Sequence, residues 1–260
     1  MPAINLAYLE LRLSGGPDNL NLSLSLGGDL SSQRILSKTA SGIANITGIS
    51  LDDAPGSANG AGTLVYAAAS KTLQWTPNGG TAGDPVPITE DGRYAIPGGE
   101  GYLCVTSTFS ALPSSNQSDT IMVSPVTNAL FDDISKLESY EGDTEVRCFY
   151  LLNAHPTEPF IGCKVYIGAQ PVGADTLMLG IDPAGIGNGS STGVAVRTVN
   201  ENTAPEGVNF STPSAIGSAL SIGSLAAGKG QALWQRRSIP PQTLTSVAAD
   251  VSHLVFNVGY

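Results

Sequence analysis

The chain is poor in charge. Lys, Arg, Asp and Glu make up 13% of its 260 residues, about half the usual share of a soluble protein. Exposed helices are built largely from these residues, so long ones are not expected. Basic residues are the scarcest, 12 against 22 acidic, for a net charge of −10. A nucleic-acid binder needs a basic footprint, and docking on anionic lipid needs the same. No nucleic acid and no membrane is therefore expected as a partner. No apolar run reaches the roughly 18 residues of a membrane span. Residues 1–13 lack a basic start and carry Glu10 and Arg12 where the apolar centre of an export signal belongs. No secretion signal is expected, and the sequons at Asn21, Asn45, Asn116, Asn188 and Asn209 read as chance matches in a Ser/Thr/Asn-rich chain.

Residues that carry chemistry are equally sparse. Histidine occurs twice, as His155 and His253, and cysteine three times, as Cys104, Cys148 and Cys163. They form no CxxC pair and no Cys/His cluster, so no metal site is expected. Cys148 and Cys163 fall in neighbouring expected strands, where either a bridge or two buried thiols fits; buried thiols are favoured. His155 reads as a loop histidine and His253 as half-buried. No Gly-x-Ser-x-Gly elbow accompanies them. The run Gly223 to Gly230 nearly spells a phosphate-binding loop, but Gly230 stands where a Ser or Thr must reach magnesium, and a strand follows it. The carboxylate groups Asp52/Asp53, Asp132/Asp133 and Glu138/Glu141/Asp143 lack the alternating oxygen ligands of a calcium loop. A sugar-cleaving enzyme needs paired carboxylates and usually a groove of aromatics, which are only 6% here. No catalytic residue, metal or cofactor is assigned, and the expectation is a non-enzyme.

What is present is turn chemistry and alternation. Gly numbers 31 and Pro 17, and period-two stretches punctuated by such residues mark half-buried strands. The expected fold is all-β. Leu9 to Leu13 and Leu20 to Leu26 both alternate, and are expected to pair as a hairpin. Residues 39–60 read as a loop. Short strands at 63–66, 71–75, 85–88, 94–96, 102–108 and 120–123 suggest a small β-sandwich or barrel. In 125–142, Val126, Leu130, Phe131, Ile134 and Leu137 share one helical face, so a helix or a packed connector is expected there. Strands resume at 145–152, 162–167, 176–181, 193–199, 219–222, 229–237 and 251–258, as in an immunoglobulin-like or jelly-roll β-sandwich. The expected organisation is an N-terminal hairpin and arm (1–45) packing with a C-terminal sandwich (124–260), and a small inserted β domain (46–123).

Several pieces in order carry a resemblance. They are Leu13-Ser14-Gly15-Gly16 with Leu26-Gly27-Gly28, Ala129-Leu130-Phe131-Asp132-Asp133, Gly142-Asp143-Thr144-Glu145-Val146-Arg147-Cys148, Asn200-Glu201-Asn202-Thr203-Ala204-Pro205-Glu206-Gly207, and Trp234-Gln235-Arg236-Arg237 ahead of Pro240. Together they resemble a family of tailed-bacteriophage virion structural proteins, over about 1–40 and 124–260. Val146 departs from the pattern, which has an aromatic there. The resemblance implies a multi-copy subunit of a virus particle. Its partners would be other copies of itself and other virion proteins, major capsid or tail. Capsid decoration or cement is preferred to a tail, baseplate or fibre-associated place.

Subunit burial would then be the work of the molecule. Leu13, Gly15, Gly16, Gly27 and Gly28 are candidate contacts on the arm, and Trp234, Arg236 and Arg237 are candidates near the C-terminus. Adjacent arginines in a strand face opposite ways, so one is solvated and the other meets a carboxylate, a carbonyl or a neighbouring chain. An intradomain salt bridge is the plainer reading of that pair, and Trp234, in phase with Arg236, reads as core. A host glycan is a further candidate partner, stacked on Tyr66, Trp75, Tyr94 and Tyr102. Leu73 and Trp75 share a face, which favours a core place for Trp75.

Overall fold

The computed structural model describes residues 6–35, 38–41, 45–52, 60–98, 101–125, 130–183, 194–242 and 252–259. Among them the strands, in chain order, are β1 (Leu9–Ser14), β2 (Leu30–Arg34), β3 (Lys38–Ser41), β4 (Ile49–Asp52), β5 (Gly60–Ala67), β6 (Thr72–Pro77), β7 (Val86–Pro87), β8 (Gly92–Gly98), β9 (Gly101–Ser107), β10 (Gln117–Pro125), β11 (Asp143–Asn153), β12 (Phe160–Ala169), β13 (Thr176–Ile181), β14 (Leu220–Leu225), β15 (Gly230–Ile239) and β16 (His253–Gly259). One short α-helix, α1 (Lys136–Glu141), accompanies them. The protein is all-β, with antiparallel sheets. Among the described residues no helix is long and apolar enough to cross a membrane.

The chain divides into two compact units, Met1–Glu10 with Leu36–Thr127, and Leu11–Ile35 with Asn128–Tyr260. The first boundary therefore falls at 35/36 and not at 45/46, and residues 1–10 go with the first unit. Charge explains that placement. The Arg93 guanidinium is gripped by Glu10 (2.6 Å) and Asp52 (2.7 Å) and lies over the Tyr8 ring, while the Tyr8 hydroxyl accepts the Arg93 backbone N–H at 3.0 Å. Glu10, a break in the apolar run of residues 1–13, is thus one anchor of this unit.

In the first unit a sheet of order β3-β10-β5-β6-β7 faces one of order β4-β9-β8. Leu64, Tyr66, Leu73, Trp75, Ile121 and Val123 of the larger sheet meet Ile49, Ile96, Leu103 and Val105 of the smaller in one core. Gly62, Leu64 and Tyr66 of β5 and Leu73 and Trp75 of β6 are buried in alternation, as the pleat requires. The expected loop at 39–60 is corrected in part: β3 and β4 form within it, and residues 42–44 and 53–59 lie outside the described ones. Both are edge strands. An edge strand needs few apolar residues, and β4 is seated by buried Ile49.

In the second unit the order is β13-β15-β11-β1-β2, and a smaller sheet runs β14-β12-β16. β11 is central and buried almost throughout. Val146, Cys148 and Tyr150 pack with Ala232 and Trp234 of β15; Glu145, Arg147, Phe149 and Leu151 point the other way. β1 lies between β11 and β2 and pairs antiparallel with β2, which corrects the expected hairpin with 20–26. There Asn21 caps a 3-10 helix at Leu22–Leu24 through its side chain. Asn side chains bonding their own backbone offer an alternative to a sheet ladder, and here that alternative wins. The expected strand at 193–199 is reduced to one bridge, Gly28 with Ala195; Gly193 lies outside the described residues. In 125–142 the helix is only α1, started by a capping box of Ser135 and Glu138. Leu130, Phe131 and Ile134 precede it, and Val126 lies outside the described residues.

The three cysteines are free and buried, so Cys148 and Cys163 are buried thiols and not a bridge. Burial pushes the Cys163 thiol up to about 11 and the Cys148 thiol up as well. Thiolate is the reactive form. A thiol reagent at neutral pH is expected to leave all three unmodified in the native chain and to count three in denaturant; rapid native modification would contradict this packing.

Candidate functional site

The second unit carries two built groups of side chains. The first is the excursion between β1 and β2. Its interior is polar: Ser14, Asn19, Ser25 and Ser31 are all buried. Asn19 Nδ2 donates to the Ser14 carbonyl, Asn19 Oδ1 accepts from Asn21 N at 2.9 Å, and Ser31 Oγ donates to the Asn19 carbonyl. Ser14 Oγ accepts from Gly27 N at 3.1 Å, and Cys148 N donates to the Ser25 carbonyl at 2.7 Å. The Tyr150 hydroxyl donates to the Gly28 carbonyl and accepts from Ala195 N. These bonds satisfy the backbone of a segment that makes no ladder of its own.

The glycines explain themselves here. Gly27 has φ +90°, and a Cβ on it would come within 1.7 Å of the Val196 carbonyl oxygen. Gly15 has φ +108°, and its Cβ would meet Asn19 and the Leu24 carbonyl. The candidate contacts Gly15 and Gly27 thus serve the inside of the unit, where backbone approaches too closely for a side chain, and at Gly28 (φ +85°) a Cβ would meet the Arg197 guanidinium. Gly16 donates its N–H to the Asp29 carbonyl and has open space about its Cα. Leu13 is buried, which corrects its reading as an interface residue. The loop's outward offer comes from residues not singled out: Leu20 is 71% exposed and Leu24 is 60% exposed. Val199 is 87% exposed and follows Thr198, whose N–H bonds the Leu26 carbonyl.

The second group is ionic. Glu145 and Arg147 stand two apart on one face of β11, and Glu145 pairs across the ladder with Arg237 of β15. Both Glu145 and Arg147 are 1% exposed. Arg237 meets Glu145 Oε2 through Nε (3.1 Å) and Nη2 (2.8 Å) and donates from Nη1 to the Asp132 carbonyl at 3.0 Å. Arg147 Nη2 pairs with Glu201 and, at 3.5 Å, with Asp132. The Phe131 ring lies 5.7 Å from one guanidinium and 4.9 Å from the other. Two cations thus pin the segment before α1 to the sheet by charge and by ring contact. Burial pushes the Glu145 carboxyl above the ordinary range, against the pull of Arg237.

Arg237 is therefore the arginine that meets an intradomain carboxylate, and its reading as a subunit contact is corrected. Arg236, on the opposite face, is half-buried over the Phe210 ring at 4.9 Å. Trp234 is fully buried and donates Nε1–H to Asp182 at 2.7 Å, so it too is core and not interface. Spacing suggested the split between the two arginines. Glu145-x-Arg147 is the signal in the sequence that points to this group, two opposite charges in phase just ahead of the apolar run Cys148 to Leu152.

Carboxylates of Glu138, Asp143 and Glu145 bring their oxygens within 4.8 Å of one another. Each already accepts from this chain: Glu138 from Ser135 N, Asp143 from Asn202 Nδ2, Glu145 from Arg237. In the first unit the four aromatic candidates do not gather on a surface. Tyr66 and Trp75 are fully buried in the sandwich core, which corrects their reading as glycan contacts. The Tyr94 hydroxyl donates to the Glu90 carbonyl at 2.8 Å. Tyr102 is half-buried, and burial pushes its hydroxyl up to about 12. No protein-family model, no curated protein and no solved structure matches this chain.

Proposed function

We propose that this chain is a non-enzymatic structural subunit of a tailed-bacteriophage particle, present in many copies and acting by burying surface against its own copies and other virion proteins. Capsid decoration is the favoured place and a tail-associated one the alternative. The observation that carries the reading is the excursion between β1 and β2. It is held by buried Ser14, Asn19, Ser25 and Ser31, yet it turns Leu20 and Leu24 to solvent. Fixing a loop before contact removes an ordering cost of roughly 0.5–1.5 kcal/mol for each immobilised side chain. A stiff loop bearing leucines is suited to repeated docking. The Leu-Gly-Gly pieces that carry the family resemblance bracket this same loop, which supports reading the two together.

Particles purified from the source culture are expected to contain the chain in many copies by mass spectrometry, and antibody against it to label them in electron micrographs. A chain absent from such particles ends the reading. Changing Leu20→Asp with Leu24→Asp is expected to leave stability within about 0.5 kcal/mol, as for other exposed sites, while incorporation into particles falls. Unchanged incorporation would move the contact away from this loop.

A further inference from the structure

We infer that His155 is a proton-operated latch on the β11–β12 loop: the neutral ring holds the loop closed through Nδ1, and protonation releases it. The loop, 154–159, is assembled by two side chains. Buried Asn153 donates from Nδ2 to the Glu158 carbonyl (2.8 Å) and the Leu225 carbonyl (3.0 Å), and its Oδ1 accepts from His155 N (3.0 Å). Its backbone is bonded to the following turn of the sheet, with Asn153 N donating to Lys229 and Gly228 N donating to Asn153. His155 then completes the turn. Nδ1 accepts from Thr157 N at 3.2 Å and from Glu158 N at 2.8 Å. Residues 156–159 beyond it are exposed.

A ring nitrogen that accepts two amide N–H groups carries no proton, so the neutral ring holds its proton on Nε2. In the imidazolium both nitrogens are donors. Nδ1–H would then point at two N–H groups, and both bonds would be lost together. Histidine is the side chain whose charge ordinarily changes between about pH 5 and 8. In the bonded stretches 153–160 and 225–230 the charged residues besides the histidine are Glu158, within the loop, and Lys229, on the turn tied to Asn153. The Nδ1 geometry sets the direction of the change: the neutral ring accepts both amides and the imidazolium accepts neither. The inference goes beyond the assembly reading and does not depend on it.

Nuclear magnetic resonance of the whole chain over the imidazole titration tests it. The Thr157 and Glu158 amides are expected to shift with the same midpoint as the His155 ring, and their exchange protection to fall roughly tenfold, as for one lost hydrogen bond. His155→Asn supplies an uncharged acceptor of the kind that closes such turns; it is expected to keep the protection and abolish the pH response. His155→Ala is expected to lose the protection at every pH. Amides that ignore the ring's titration in the native chain overturn the latch, whether or not the variants fold. So does a pH response that survives in His155→Asn.

Discussion

Arg237→Ala is expected to lower the stability of the second unit by about 3–5 kcal/mol, the usual cost of stranding one member of a buried ion pair. Glu145 is 1% exposed and has Arg237 as its ladder partner. Without the guanidinium it must stay ionised with reduced compensation or take up a proton. Phe131 also loses the nearer of its two cations. The loss is expected to shrink in acid. Burial already raises the Glu145 carboxyl, and Arg237 is the first opposing influence, so the variant raises it further. A carboxyl whose folded value lies above its unfolded one favours the fold at low pH, and that contribution is lost as pH rises through the folded value. The gap between native chain and variant therefore widens from acid to neutral. Urea melts over a pH series measure it. A gap that stays flat would show that Glu145 is not the group left stranded. Arg237→Lys keeps the charge but not the two-pronged geometry, and is expected to fall between.

The same residues show what the sequence made legible. Adjacent arginines in a strand must diverge, and they do: Arg237 meets Glu145 and Arg236 lies over Phe210. The all-β class followed from alternation and turn formers, because both are local properties. What failed was non-local. Leu20 to Leu26 alternates as well as β1 does, but alternation cannot tell a strand from a loop whose asparagines bond its own backbone. β3 and β4 have little apolar pattern because an edge strand needs little. Glu145 and Arg147 find Arg237, Asp132 and Glu201 only through the fold, which brings Glu145 to a residue 92 positions away in the chain. The leucines that matter to the proposed function were visible as a stripe, but not as a stripe turned outward.

Trp75 and Gly98 carry the second large effect, in the first unit. Trp75 is fully buried between the two sheets, and Trp75→Ala is expected to cost about 3–5 kcal/mol. The more discriminating change is Gly98→Ala. Gly98 lacks a positive φ, so alanine suits its backbone. An added Cβ would nevertheless come within 2.0 Å of the indole Cδ1, and the three nearest atoms all belong to Trp75. Overpacking of this kind costs about 1–3 kcal/mol. Because the obstruction is one side chain, the cost is expected to vanish once that side chain is smaller: Gly98→Ala should be nearly neutral in a Trp75→Leu background. A coupling of about 0.5–3 kcal/mol from the double-mutant cycle is the expected signature. Gly62 is the control. Its Cβ would meet the same indole but also the Thr76 carbonyl oxygen at 2.6 Å, so Gly62→Ala should remain costly in the Trp75→Leu background. If Gly98→Ala costs the same in both backgrounds, the indole does not fill the space above Gly98.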